Sequence, residues 1–288
     1  MKAPLRAVLA ERIDYAGLFP PAGLPMEQAV ANYASYRASG DAWALGRFVV
    51  PAARLAEFER AASPHFGGEV WRLSLLAQAD GETAVRDFNA RHAGAAVIDT
   101  IEARAATIDD VAALAPLRDI ATVFVEVPVA DDPDALIHAI AAHGLCAKIR
   151  TGGVTADAFP SPVQVARFLV TCGRHGVRYK ATAGLHHPMR AEYALTNAAD
   201  APRGTMFGYL NVLLAATLAR RGASVERCAA LLAEQARGAF AVDDAGIRWQ
   251  DERFTLDDLT SERRQGAASF GSCSFREPLD DLNAVGFA

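Results

Sequence analysis

Short apolar runs alternate with longer amphipathic stretches along almost the whole 288-residue chain. Eight runs, at about 12–18, 44–50, 69–76, 95–101, 121–127, 145–150, 177–182 and 268–273, are mostly rich in Val, Ile, Leu or Phe and stop near Gly, Pro or a polar residue. Runs of that length and composition predict strands. Between them, stretches at about 26–39, 51–62, 81–93, 107–116, 132–143 and 161–175 predict helices. Ser161-Pro162 reads as an N-cap followed by proline at the first helical position, and Asp132-Pro133 reads the same way. Nearly continuous apolar strands separated by helices describe a parallel sheet covered on its faces. Eight such units at this length predict an α/β fold, a (β/α)8 barrel spanning 1–288 as one domain. An open doubly wound sheet is the alternative, but no G-x-G-x-x-G follows the first strand.

One region breaks the rhythm. Residues 190–267 hold two or three helical segments before the last strand, with Asn211–Arg221 and Ser224–Arg237 separated at Gly222. Asp243-Asp244-Ala245-Gly246 reads as a turn. The region is expected to be an inserted lid or an oligomer surface.

Composition narrows the partners. A net charge of −5 lacks the basic excess of a nucleic-acid binder. The apolar tract 206–219 is too short to span a bilayer and contains Asn211. No secretory signal is read, because Glu11 and Arg12 arrive before any long apolar region. Cys146, Cys172, Cys228 and Cys273 form no C-x-x-C pair, so neither a zinc knuckle nor a disulfide framework is implied. The expectation is a cytoplasmic protein with no metal, no cofactor and no membrane or nucleic-acid partner.

Only three lysines accompany 26 arginines, and two of them, Lys148 and Lys180, lie inside short apolar strands. Lysine is rarely buried without a partner. A desolvated lysine, or one beside another cation, sheds its proton more easily and becomes an amine nucleophile. In a barrel of this kind the chemistry sits at the C-terminal strand ends. There the polar candidates are Asp14, Asp99, Glu126, Lys148, Arg150 and Lys180. Lys148 and Arg150 are two apart and share a strand face. The structural alternative is that the lysines merely pair with Asp99 or Glu126 inside the barrel, and that Asp14 holds the first loop by hydrogen bonds.

Several pieces in order resemble class I aldolases of the deoxyribose-phosphate aldolase type. These are Val97-Ile98-Asp99-Thr100-Ile101, Val123-Phe124-Val125-Glu126, Lys148-Ile149-Arg150-Thr151-Gly152, Lys180-Ala181-Thr182-Ala183-Gly184-Leu185-His186 and Phe270-Gly271-Ser272-Cys273-Ser274. The resemblance implies that Lys148 forms an imine with a carbonyl, that Lys180 tunes it and that Asp99 moves protons. Arg150 replaces the family's small serine, and His186-His187 replaces its Ile-Arg. These departures point to a substrate other than deoxyribose phosphate.

Arg150 can bind an anion bidentately, and the backbone of Gly271, Ser272 and Ser274 can cradle one. His186, Glu126 and Asp14 complete the candidate substrate-binding set. The expected function is a Schiff-base-forming lyase acting on a small anionic carbonyl compound. The alternatives are a lysine-base or metal-assisted lyase or isomerase on a carboxylate substrate, with Glu126, Asp14 or a histidine on the ion, and a non-catalytic barrel used for binding.

Overall fold

All eight predicted strands form, and they close on themselves. The computed structural model describes residues 1–287. The barrel strands are β1 (Ile13–Tyr15), β2 (Leu45–Pro51), β3 (Trp71–Leu76), β4 (Ala96–Arg104), β5 (Thr122–Glu126), β6 (Cys146–Arg150) and β7 (Tyr179–Thr182). After β7 come the hairpin strands β8 (Ala191–Ala194) and β9 (Arg203–Met206), then β10 (Phe240–Asp243), β11 (Gly246–Trp249) and β12 (Glu252–Thr255). The last strand is β13 (Ala267–Ser272). The closed order is β1-β13-β7-β6-β5-β4-β3-β2, with every barrel pairing parallel. This is the (β/α)8 barrel that the alternation of elements predicts.

Strand alternation separates the barrel interior from its helical coat. On β6, Ala147 and Ile149 are fully buried in the apolar core, while Lys148 and Arg150 occupy the other face. On β7, Tyr179 and Ala181 join the same core, and Lys180 takes the inward position between them. Register then aligns the polar positions. Glu126 lies beside Lys148, Lys148 beside Lys180, and Lys180 beside Ser269, across four adjacent strands.

The predicted helices appear close to their expected bounds. Ser161 caps Pro162–His175 with a reciprocal capping box to Gln164, and Gly176 ends it in the left-handed conformation at φ 64°. At the preceding helix the expected start shifts by one residue. Pro133 is the N-cap of Asp134–Ala142, and Asp132 instead accepts a hydrogen bond from the Asp134 amide.

The region 190–267 is not purely helical. It contains the β8–β9 hairpin and the antiparallel sheet β10-β11-β12 as well as the helices Tyr209–Arg220, Val225–Ala233 and Leu256–Gln265. Each of these strands is four residues long, too short for a period-2 signal to stand out against the neighbouring helical pattern. The Asp243–Gly246 turn does form, as the loop joining β10 to β11. Tyr209 to Ala219 are all buried, so the apolar tract is covered by this chain's own helices rather than offered as an oligomer surface. Asn211 is satisfied inside: it accepts from the Arg190 amide and donates to the Leu231 and Glu234 carbonyls. Among the described residues no helix is long and apolar enough to cross a membrane.

Candidate active site

A cavity of about 850 Å³ opens at the C-terminal ends of the barrel strands. Its floor is ionic. Lys148 contacts Glu102 and Glu126, each at 2.8 Å. Lys180 donates to Glu102 at 2.6 Å and to Asp14 at 2.7 Å. Asp14, Lys180, Glu102, Lys148 and Glu126 thus form a chain of alternating charge across the barrel, and both lysine nitrogens touch the same Glu102 carboxylate.

Neighbouring hydroxyls and amides fix the carboxylates. Ser74 donates to Glu102 at 2.6 Å, and Ser269 donates to Asp14 at 2.6 Å. Asp14 also accepts from the Arg47 amide at 2.7 Å. Gly46 makes room for this: a Cβ there would lie 2.3 Å from the Asp14 carboxylate. Buried carboxylates held by several donors keep one orientation, which is what an aligned proton path needs.

The electrostatics differ from the simple cation-beside-cation expectation. Burial disfavours the Lys180 ammonium, but Asp14 and Glu102 outweigh it and raise its pKa above the usual lysine value. Burial likewise disfavours the Glu102 carboxylate, and Lys148 and Lys180 outweigh that, holding its pKa far below the ordinary range. Lys180 is therefore a fixed cation, almost wholly enclosed, and does not line up as the neutral amine.

Lys148 is held less tightly. Glu126 Oε2 is buried yet accepts no aligned hydrogen bond, so its 2.8 Å approach to Lys148 is an oblique ion contact. Glu126 is also drawn toward Arg104 at 3.3 Å and Arg150 at 3.7 Å. Burial works to raise the Glu126 pKa, but Lys148 and the two arginines lower it.

The structure gathers Lys148, Lys180, Glu126, Arg150, His186, Gly271 and Ser274 around this cavity. Asp14 lies just beneath the floor, on the far side of Lys180. Asp99 does not join them. It is the extra residue where the β3–β4 register slips, with Leu73 opposite Ile98 and Ser74 opposite Thr100. Such a bulge re-aims a side chain. Asp99 lies away from the cavity, partly buried and bound by Arg47 at 2.5 Å and Arg72 at 2.8 Å.

The carboxylate that contacts both lysines is Glu102, whereas Asp99, to which the resemblance gave the proton-moving role, contacts neither. Sequence reasoning missed Glu102 because β4 runs three residues beyond the expected end at 101. Extending the run through Ile101-Glu102-Ala103-Arg104 would have exposed both Glu102 and Arg104 as strand-end polar groups.

The expected anion cradle at Gly271–Ser274 is engaged internally. Ser272 Oγ accepts from the Ser274 amide, and Ser274 Oγ accepts from the Glu277 amide. The Glu277 carboxylate instead meets His186 at 3.0 Å. Burial opposes charge on His186, but Cys273 and Glu277 outweigh it and lift its pKa to about 10. The adjacent histidines take separate partners: His187 pairs with Asp281 and stacks on Tyr193 at 3.5 Å. Among the described residues no three His, Cys, Asp or Glu side chains converge as a metal-ligand set.

No known family model matches the chain, and no curated protein sequence matches it.

Proposed function

We propose that this chain is a Schiff-base-forming lyase that makes or breaks a carbon–carbon bond next to a carbonyl, with Lys148 as the nucleophile. The observation that carries the reading is Glu102, seated between Lys148 and Lys180 at 2.8 and 2.6 Å on the floor of a cavity. Two buried lysines on one carboxylate beneath open space are the kind of charge cluster that gathers at functional sites, which supports the catalytic reading.

Lys148 gives its proton to Glu102, whose pKa rises as that lysine's charge is lost, and its nitrogen attacks the carbonyl carbon while the π electrons move to oxygen; a proton then passes from that nitrogen to the alkoxide, leaving the neutral carbinolamine. Glu102 returns the proton to the carbinolamine hydroxyl, which leaves as water and yields the iminium. In the cleavage direction Glu102, again a carboxylate, takes the proton of the hydroxyl β to the iminium. The carbon–carbon electron pair then flows into the iminium, an aldehyde departs, and the enamine is protonated and hydrolysed from Lys148. Lys180 stays cationic throughout and stabilises negative charge developing on the oxygens. Arg150, its side chain about half exposed, supplies positive charge for an anionic substrate group.

Borohydride reduction in the presence of aldehydes, ketones and 2-oxo acids tests the proposal. The expected product is a stable secondary amine on Lys148, located by peptide mass spectrometry and absent from Lys148→Met. A broad panel that leaves Lys148 unmodified sinks the imine.

A second reading uses Lys148 as a proton-transfer group on carbon beside a carboxylate. Its two carboxylate contacts favour it, because they suit an amine that cycles through the ammonium form. Exchange of substrate C–H for deuterium without any reducible adduct would select it.

A further inference from the structure

The cavity is far larger than a small carbonyl compound requires. At on the order of 30 Å³ per heavy atom, the share of a water in the liquid, a six-atom oxo acid fills about 180 Å³. The cavity holds about 850 Å³, well inside the roughly 300–1,000 Å³ range of sites that enclose drug-sized ligands.

Its wall is divided by sector. Adjacent strands β4, β5 and β6 contribute Arg104, Glu126, Lys148 and Arg150. Adjacent strands β2 and β3, with the loop that follows β1, contribute Phe19, Pro20, Pro21, Val49 and Leu76. Leu195, just after β8, and Met206, at the end of β9, add apolar surface from the hairpin. The loop and hairpin residues lie beyond the strand ends, farther along the cavity than the lysines. Phe19, Pro20, Pro21 and Leu76 are only partly covered and leave apolar area that a ligand can cover, while Val49, Leu195 and Met206 are nearly buried and back that wall. Resting on the lyase reading above, we infer that the substrate is amphipathic: a carbonyl head at Lys148 and a hydrocarbon or aryl tail of several carbons on the β1–β3 sector.

Two chain-length series test this. The first is straight-chain 2-oxo acids of three to ten carbons, reduced with borohydride on Lys148. The second is simple carboxylates of the same lengths, which cannot form an imine, measured by titration calorimetry. Burying one methylene is expected to tighten binding about fourfold, so both series should rise steeply with length until the cavity is full. Phe19→Asp, at a partly exposed loop position, should flatten the rise and weaken the longest member at least tenfold, with thermal unfolding confirming the fold.

Carboxylate affinity that is flat or falls with length in the unmodified protein overturns the tail. If it climbs while no carbonyl compound is reduced onto Lys148, the tail sector stands and the imine reading alone fails.

Discussion

Replacing Glu102 by Gln removes the one negative charge shared by both lysines while keeping the side chain's shape. Breaking a buried ion pair by deleting one partner costs about 3–5 kcal/mol. Here Asp14 still holds Lys180 and Glu126 still contacts Lys148, so the lower end applies, about 3 kcal/mol. At roughly 2–4 °C per kcal/mol for a chain somewhat shorter than this one, the midpoint should fall by about 6–12 °C at pH 7.

The pH dependence gives a sharper signature. The Glu102 pKa is lower in the folded chain than in the unfolded one, so its stabilisation is present above the unfolded value of about 4.5. It is lost as pH falls toward the folded value. The gap between the native chain and Glu102→Gln should therefore be widest near neutrality and narrow steadily below about pH 4.5. Calorimetric unfolding of both proteins from pH 7 to pH 3 measures it. A variant as stable as the native chain at pH 7, or a gap that does not shrink in acid, refutes the bridging role.

Asp99→Asn should leave reductive labelling of Lys148 within twofold, because Asp99 binds Arg47, Arg72 and the Thr100 hydroxyl and does not line the cavity, whereas Glu102→Gln should cut the labelling rate at least a hundredfold. Lys180→Met strands Asp14 and Glu102 together in the interior and should cost about 3–5 kcal/mol at pH 7. In that variant the carboxylate pKa values move up, so the deficit shrinks as pH falls and the pair protonates, read by the same calorimetry. Gly46→Ala puts a methyl group against the Asp14 carboxylate and should destabilise by about 1–3 kcal/mol in chemical denaturation.

The barrel was legible because its strands are buried on both sides and carry long apolar runs, a signal that needs no partner to interpret. The same property identified Lys148 and Lys180, charged residues standing where the run should be apolar. Three features lay outside that logic. The register slip at Asp99 depends on how β4 pairs with β3, so the sequence pointed to an acid outside the cavity, three residues before Glu102. The strands β8 to β12 are short and half exposed, and their pairing supplies the stability that their own pattern does not announce. The sign of the Lys180 shift depends on Asp14 and Glu102 arriving from distant strands; the sequence named Asp14 as a strand-end candidate but not as this lysine's partner, and it missed Glu102. Glu277, which occupies His186, comes from the helix after the final strand and carries no local cue.

Imine formation exchanges a carbonyl oxygen with solvent whether or not any carbon–carbon bond breaks. Incubating the protein in ¹⁸O-labelled water with 2-oxo acids, aldehydes and ketones, and following the carbonyl by mass spectrometry, reads that step alone. Catalysed oxygen exchange that disappears in both Lys148→Met and Glu102→Gln and persists in Asp99→Asn is the predicted result. Exchange no faster than in buffer for every compound, or exchange that survives loss of Lys148, contradicts the account.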